Sequence, residues 1–434
     1  MKQLTRLFIP ICLETLFYML SGMVDTLMLS AVGDYAVGAV GTANSYIGIF
    51  IIMFSIISSG MVSVMTQNIG AGRPGVAYQA RQLGLLFNAV AGVLMAVFLF
   101  SGAGAILRMV GIADALYEPA LIYLKIVGGG CILNAVIPIF SSYLRAFGYT
   151  KQPLYATIVG NIANFVMNAV FLFVLHKGVA GVAAATVISK ILNLCIVLYF
   201  SHKLISAKNS TERIANKTVL GQIVKVGLPS ACETALYNVA MMLVIRFLNQ
   251  MDAEGLNVTA RSYTATISNF SYCVGAALAQ ANAIMTGWHI GAGELEECDR
   301  GTKRAAFVGV CVAVCMETAI VLGSGFIMPL FTDNPEMAAL VRKLLAIDIV
   351  LEIGRVTNLV FGQALKTSGD AVFPAVIAAV FMFVFAVGGT WLFGISMGLM
   401  AVGAYIGLAS DECVRAVGMV WRWKTGKWRT KKLV

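Results

Sequence analysis

The segment "IPICLETLFYM" at residues 9–19 returns as "LPSACETALYN" at residues 228–238, with Glu14 opposite Glu233. Two further pairs follow in the same order: "QNIGAGRPG" (67–75) with "WHIGAGELE" (288–296), and "LRAFGYTKQP" (144–153) with "LKTSGDAVFP" (365–374). The offset between partners is nearly constant along the chain. Ordered matches at one offset predict that the chain consists of two copies of one unit.

The composition identifies the kind of unit that is duplicated. The chain has 434 residues, of which 59% are hydrophobic and 12% charged, and its mean hydropathy is +0.85. A soluble domain carries about twice that share of charge. Apolar runs of about 20 residues, long enough to cross a bilayer, recur throughout. We therefore predict an all-α polytopic membrane protein with twelve transmembrane helices. The predicted spans are 7–30, 42–66, 83–106, 119–142, 153–175, 179–202, 222–249, 262–287, 305–330, 337–363, 371–393 and 396–420.

The duplication also predicts the architecture. Each copy holds six spans, an even number, so both copies enter the membrane in the same orientation. They should form two six-helix lobes related by a pseudo-twofold axis along the membrane normal, with a central cleft. We predict an N-terminal lobe over 1–202, a cytoplasmic linker over 203–226, and a C-terminal lobe over 227–434 that ends in a basic cytoplasmic tail.

The positive charges indicate orientation. The formal net charge is +10, and most of the 31 Lys and Arg residues fall in loops on the side of the N-terminus. By the positive-inside rule, both termini should be cytoplasmic. The tail "WRWKTGKWRTKKLV" (421–434) is then expected to anchor on anionic lipid headgroups. This placement argues against a nucleic-acid partner.

The sequence favours a transporter that uses no cofactor. It has no G-x-x-x-x-G-K-[ST] phosphate loop, and its polar segments are too short for a nucleotide-binding domain. The cysteines lie mostly inside spans without His or acidic partners, so no metal site is predicted. Clustered catalytic residues near the interface are missing as well, and we do not expect an enzyme. Ion coupling or passive flux remains.

Acidic residues inside apolar spans are the candidate coupling groups. An ionised carboxylate at the bilayer centre costs roughly 2.5–3.5 kcal/mol. Glu14 and Asp25 share a face of the first span, roughly 16 Å apart, and Asp25 aligns with Val244 in the second copy. These acids are expected to face the protein interior and bind a cation.

A polar stripe on the fifth span is predicted to lie near Asp25. In "GNIANFVMNAVF" (160–171), Asn161, Asn164 and Asn168 fall at i, i+3 and i+7, on one helical face. Thr186 lies on the next span. The alternative is that the stripe only joins helices by hydrogen bonds.

The second lobe offers another polar cluster. In "IDIVLEIGRVTNLV" (347–360), Asp348, Glu352 and Arg355 fall at i, i+4 and i+7. Glu352 and Arg355 could neutralise each other within the helix. Two acids against one base still leave one carboxylate to meet a cation or to lie near Glu233.

The chain resembles the multidrug and toxic compound extrusion family over essentially its whole length. The resemblance rests on "VDTLMLSAVGDYAVGAVG" (24–41), "NIGAG" and "HIGAG", "LRAFG" and "LKTSG", and "EIGRVTNL". It implies a V-shaped pair of six-helix lobes in a bacterial plasma membrane, acting as a monomer. It also implies alternating access that exports bulky, often cationic, hydrophobic compounds in exchange for H⁺ or Na⁺.

The resemblance also suggests roles for single residues. Asp25, Asn164 and Thr186 match the first-lobe cation site of the proton-linked branch. Asn168 stands where many relatives have a second Asp, which removes one titrating group. Glu233 with Asp348 or Glu352 loosely resembles the second-lobe cation site of another branch, so the coupling lobe stays open.

The alternative function is that of a lipid-linked oligosaccharide flippase of the same broad superfamily. Flippases of lipid-linked oligosaccharides often carry extra spans and a cationic cavity for pyrophosphate. The intramembrane charges here are mostly acidic or paired, which favours the exporter.

Overall fold

The computed structural model describes residues 2–109, 112–206, 212–252 and 254–434. In a bilayer every backbone polar group needs an internal partner, so apolar runs of this length fold as helices. The described residues contain thirteen α-helices. They are α1 (Lys2–Ser30), α2 (Asp34–Gly70), α3 (Pro74–Met109), α4 (Asp114–Gly129), α5 (Cys131–Ala146), α6 (Lys151–Ala169), α7 (Gly178–Leu204), α8 (Asn216–Met251), α9 (Leu256–Ala292), α10 (Leu295–Ile327), α11 (Pro335–Ser368), α12 (Val372–Phe381) and α13 (Met400–Lys424).

Every predicted span falls on one helix or on consecutive helical segments. The fourth span is broken at Gly130, where α4 and α5 meet at a 42° bend. The fifth continues beyond α6 as a π-helix, Val170–Val174, and the eleventh beyond α12 as two π-helices, Met382–Val387 and Thr390–Ser396. The predicted all-α membrane fold is confirmed.

The helices differ in hydropathy. Among the described residues, eight helices are long and apolar enough to cross a membrane, or nine if the bent pair counts as one span. The other three long helices are α9, α11 and α13. Buried charged residues lower the hydropathy of α11 and α13, among them Asp348, Glu352, Asp411 and Arg415. The three helices pack on one another, so these polar groups face protein.

The chain divides into two compact units. The N-terminal unit is Ile9–Gly227, and the C-terminal unit is Leu228–Val434 together with the start of α1, up to Phe8. Each has its own apolar core, built largely from alanines and aliphatic side chains that let helices approach closely. In the C-terminal unit, a Cβ on Gly354 of α11 would lie 2.7 Å from the Cys413 nitrogen of α13. This glycine sets the spacing of the two helices that carry most of the buried charges.

The predicted linker is partly helical. Residues 207–211 lie outside the described residues, whereas α8 already begins at Asn216. A Cβ on Gly227 would lie only 1.7 Å from the Ile56 carbonyl oxygen of α2. Gln79 of α3 also donates a hydrogen bond to the Ile214 carbonyl, at 2.7 Å. The first turns of α8 therefore pack against the N-terminal unit.

Most of the tail packs against the C-terminal unit. Trp423 and Trp428 stack with ring centroids 4.2 Å apart, and both are buried. The indole of Trp423 donates to Asp299 Oδ1 at 2.7 Å, and a Cβ on Gly369 would meet the Lys431 carbonyl at 2.4 Å. Trp421 is the exposed tryptophan of this segment. Lipid contact of the tail stays a prediction for Trp421 and the exposed lysines, because Arg422 pairs with Asp370 at 2.7 Å.

Asp252 links the loop after α8 to α9. Its carboxylate accepts hydrogen bonds from the backbone N–H groups of Leu256 (2.8 Å) and Asn257 (3.0 Å) and from the Asn257 side chain. The Asn257 side-chain oxygen in turn accepts from the Ala401 N–H at 3.0 Å. Slight desolvation opposes ionisation, but these hydrogen bonds prevail and hold the pKa of Asp252 below its usual value.

Candidate functional site

The candidate site of the N-terminal unit lies where α1 contacts α6. Asn168 donates its amide N–H groups to Asp25 Oδ1 at 2.8 Å and to Asn164 Oδ1 at 3.1 Å. Two turns earlier on α6, Asn161 donates to the backbone carbonyl of Phe17 at 2.9 Å. The asparagine stripe therefore faces α1. It both joins the two helices and supplies the polar surroundings of Asp25.

The side-chain oxygens of Asn168 and Asp25 could bind a ligand at this site. The Asn168 side chain is fully buried, and its Oδ1 has no hydrogen-bond partner in the described chain. Asp25 is half-buried, and no Lys or Arg nitrogen of the described residues lies within 4 Å of its carboxylate. A carboxylate and an amide oxygen are hard ligands that suit a proton or a small cation. The π-helix that follows α6 begins two residues after Asn168, and such segments are frequent at functional sites.

Helices α2, α4 and α7 complete the surroundings of Asp25. Tyr123 of α4 is buried, and its hydroxyl lies beside the side chains of Asn44 and Thr186. It also interacts electrostatically with Asp25. Thr186 thus belongs to the same group as Asp25, through Tyr123, although its own hydroxyl donates to the Val182 carbonyl at 2.9 Å.

Glu14 lies apart from this group. Its Oε1 accepts from Arg145 Nη2 at 2.6 Å, at the last turn of α5. The second copy repeats the arrangement, because Glu233 pairs with Lys366 at 2.7 Å. Glu14 and Glu233 occupy equivalent positions of the repeat, and so do Arg145 and Lys366. The structure therefore places both glutamates in a duplicated ion pair. Glu233 also interacts electrostatically with Arg415 of α13.

The cluster of the C-terminal unit is an ionic network between α11 and α13. Arg355 pairs with Glu352 and lies 3.7 Å from Glu412 Oε1. Arg415 forms an ion pair with Glu412 at 2.8 Å and contacts both oxygens of Asp411, at 2.7 and 3.0 Å. The self-neutralising pair considered from the sequence is thus present, as part of a larger chain of alternating charges.

Two buried acids of the C-terminal unit are not neutralised in this way. Asp348 is 2% exposed, and its Oδ2 has no hydrogen-bond partner among the described residues. Glu317 is 0% exposed, and neither of its carboxylate oxygens has such a partner. The two carboxylates interact electrostatically. Ser268 lies beside Asp348 and Ser271 beside Glu317. Neither serine hydroxyl has the geometry of a formed hydrogen bond to its neighbouring carboxylate.

A cavity of about 270 Å³ opens beside this network. Its wall carries three tyrosines, two arginines and three acids. They are Tyr237, Tyr272, Tyr405, Arg261, Arg355, Asp348, Asp411 and Glu412. Aromatic side chains with a few convergent charged groups are typical of sites for small organic molecules. Arg415 pairs with Asp411 and Glu412, so Asp348 is the acid of this wall that is left to meet a cationic ligand.

Sequence reasoning missed several charged members of these groups. Glu317 stands in "VCMETAIVLGSG" (314–325), and the criterion that selected Asp25, an acid inside an apolar run, also applies to it. Asp411 and Arg415 show the i, i+4 spacing of a helical ion pair. Lys190, a base in the middle of the sixth span, donates to Asn134 Oδ1 at 2.8 Å and interacts electrostatically with Asp25. Within the described residues, no three or more His, Cys, Asp or Glu side chains are grouped to hold a metal ion.

Comparison with known proteins supports the internal duplication. The model of the MatE family matches twice, over residues 10–170 and 229–392. The starts of the two matches are separated by the same offset as Glu14 and Glu233.

The chain also resembles individual proteins over its full length. It is 32% identical over 428 residues to the uncharacterized transporter YisQ of Bacillus subtilis, covering 97% of this chain and 94% of that protein. It is 20% identical over 446 residues to the probable multidrug resistance protein NorM of Thermotoga maritima, covering 100% and 94%. Among solved structures, a mutant of the Vibrio cholerae MATE transporter VcmN superposes with a TM-score of 0.89 at 17% identity, covering 99% and 98%. This likeness confirms the two-lobed, all-helical fold.

Proposed function

This chain belongs to the MatE family of transporters, and on that premise we propose that it is a cation-coupled antiporter. It exports bulky, hydrophobic, often cationic compounds by alternating access, in exchange for H⁺ or Na⁺. We place it in a bacterial plasma membrane, as a monomer with both termini in the cytoplasm and its basic tail near anionic headgroups.

One observation carries the proposal: Asp25 accepts a hydrogen bond from the neutral amide of Asn168 and has no direct ion pair among the described residues, whereas Glu14 on the same helix is paired with Arg145. A carboxylate away from bulk water is costly when it is ionised and unpaired. Binding a proton or a small cation removes that cost, and the same site can later release it to a wetter side. Asp25 is therefore the proposed coupling group, with Asn164, Asn168 and Thr186 around it.

The C-terminal unit offers a second candidate coupling site. Asp348 and Glu317 retain oxygens that no described residue hydrogen-bonds, while the acids around them are paired with Arg355 and Arg415. If coupling resides there, neutralising Asp348 should abolish gradient-driven transport and neutralising Asp25 should not.

The charges of the C-terminal cavity favour the exporter over the flippase. A carrier of pyrophosphate-linked lipids needs a predominantly cationic pocket, and this wall holds more acids than arginines. The name of the Thermotoga relative, a probable multidrug resistance protein, points the same way. Rescue of a flippase-deficient strain without any drug phenotype would support the flippase instead.

Efflux of ethidium from proteoliposomes tests the proposal. Purified wild-type protein should drive concentrative efflux under an imposed pH gradient or an imposed Na⁺ gradient, and the comparison identifies the ion. Asp25→Asn should abolish this efflux. Asp114→Asn, which removes an exposed acid at the start of α4, should not. Wild-type rates for Asp25→Asn under the driving gradient would refute Asp25 as the coupling group.

A further inference from the structure

We propose that Lys190 is a tethered counter-ion for Asp25: its ammonium group and the transported cation occupy the carboxylate in turn. This inference rests on the proposed function of Asp25, and it assigns a second residue that determines how tightly the coupling cation is held.

Lys190 cannot reach the membrane surface. It lies in the interior of α7, 12 residues after Gly178 and 14 before Leu204, which places it about 18 and 21 Å from the helix ends. A lysine side chain spans only a fraction of that distance, so its charge cannot reach the headgroups as lysines near helix ends do. The ammonium group must find its partners inside the protein.

Those partners are an amide and one acid. Lys190 Nζ donates to Asn134 Oδ1 at 2.8 Å, and this is its one hydrogen bond to the described part of the chain. An ammonium group has three N–H donors, and burying it beside neutral groups alone is unfavourable. Asp25 is the acid with which it interacts electrostatically. The two charges are thus neighbours, and each is held by an asparagine: Asp25 by Asn168 and Lys190 by Asn134.

The geometry of α7 places Lys190 within reach of the Asp25 group. Thr186 lies one turn before Lys190, on the same helical face. Its side chain adjoins the Tyr123 hydroxyl, which in turn interacts with Asp25. In this proposal the Lys190 side chain, with its four flexible methylene groups, moves from Asn134 toward that carboxylate.

The charges and titratable groups that face Asp25 and Lys190 are few. Among the described residues, Lys190 is the base of this group and Asp25 its acid. The other members are neutral amides, hydroxyls and a thiol. Asn168, Asn134, Cys131 and Tyr123 interact with Asp25 or Lys190, Asn164 accepts from Asn168, and Tyr18, Asn44 and Thr186 lie around Tyr123. Together, Asp25 and Lys190 sum to zero charge.

Competition follows from this balance. When a cation neutralises Asp25, Lys190 loses its counter-charge and the site becomes net positive, which favours release. When the cation leaves, Lys190 takes its place, so Asp25 is never left ionised and alone. Like charges repel across a protein site of effective dielectric constant about 20, so removing the charge of Lys190 should raise the affinity of Asp25 for a cation.

The test removes the positive charge of Lys190 and keeps the approximate length of its side chain. Lys190→Met should lower the concentration of the driving cation that gives half-maximal ethidium efflux from proteoliposomes by about tenfold or more. Lys190→Arg, which keeps the charge, should remain within threefold of wild type. The control is Lys125→Met, which removes an exposed lysine on α4 and should change nothing. A change of less than threefold in Lys190→Met, or an equal shift in Lys190→Arg, overturns the proposal.

A second measurement does not depend on transport. If the two charges stabilise each other, Asp25→Asn should lower the thermal-unfolding midpoint more in the wild type than in the Lys190→Met background. Additive effects would contradict the pairing. The two ideas also fail separately. If Asp25→Asn still carries out coupled transport, the proposed function is wrong. If Asp25→Asn loses coupled transport but Lys190→Met keeps the wild-type cation dependence, only this inference is wrong.

Discussion

Replacing Arg355 by Met should destabilise the C-terminal unit more than any single loss of a surface charge. The guanidinium group pairs with Glu352, which is 0% exposed, and lies 3.7 Å from Glu412. It also sits 5.8 Å above the ring of Tyr272. Within the described chain Glu352 Oε2 has no hydrogen-bond partner, so the substitution leaves a fully buried carboxylate without its ion-pair partner.

The expected loss follows from that burial. Removing one member of a buried ion pair costs about 3–5 kcal/mol, because the other charge stays desolvated. Removing both charges costs much less, since no uncompensated group remains. The double variant Arg355→Met with Glu352→Gln should therefore recover most of the stability, with a residual loss of about 1 kcal/mol from the hydrogen bond.

Thermal and denaturant unfolding of the purified protein in detergent would measure both effects. Arg246→Met is the matched control, because it removes an exposed arginine of α8 in the same unit, and it should change the free energy of unfolding by less than about 0.5 kcal/mol. The reasoning is refuted if Arg355→Met is no worse than this control. It is equally refuted if adding Glu352→Gln deepens the loss.

Three further predictions concern other contacts. Glu14→Gln and Glu233→Gln should each lower the free energy of unfolding by about 1–3 kcal/mol, because each breaks one half-buried ion pair. The cation dependence of ethidium efflux should stay at the wild-type value. A changed cation dependence would place these glutamates in the coupling site. Gly354→Ala should lower the free energy of unfolding by about 1–3 kcal/mol by pushing α13 from α11, and unchanged unfolding would contradict the close approach. Asp252→Ala should lower the free energy of unfolding by about 1 kcal/mol at pH 7. Because folding lowers the pKa of Asp252, the stability difference between wild type and variant should be constant above about pH 5 and shrink as the pH falls through and below 4. A stability difference that does not depend on pH would argue against an ionised cap.

The spans and the duplication were predictable because they depend on properties that add along the chain. Hydropathy over 20 residues identifies a helix in lipid whatever its neighbours are. The repeat identified equivalent positions, and it could have predicted the duplicated ion pair. Glu14 and Glu233 recur in one motif, Arg145 and Lys366 in another, and an acid and a base retained together suggest contact. Taken one span at a time, the two glutamates looked like unpaired acids.

The asparagine stripe was predictable for a similar reason. Its spacing of i, i+3 and i+7 depends only on the helical period, and the structure places Asn161 and Asn168 against α1. Which carboxylates stay unpaired was not predictable in this way. That outcome depends on rotamers and on the spacing between helices, as at Gly354, and it separates Glu352 from Asp348 although they lie one turn apart.

Lys190 shows a different limit of sequence reasoning. A single base in an apolar span has no partner at helical spacing on its own helix, so its role depends on contacts with α5 and α1. Glu317 is the acidic counterpart on α10. Both residues would have been found by treating every charge inside a span, basic or acidic, as a candidate site residue.

The central claim is that the cation is coupled to transport by an acid without a direct ion pair among the described residues, and not by an acid held in one. Asp25 and Glu14 lie on the same helix and differ in this respect, so the most direct measurement compares concentrative ethidium efflux by Asp25→Asn and Glu14→Gln in proteoliposomes under the driving gradient. We predict that Asp25→Asn loses gradient-driven efflux, while Glu14→Gln keeps it at a rate proportional to the amount of folded protein. Gradient-driven efflux by Asp25→Asn, with or without its loss in Glu14→Gln, would contradict the account.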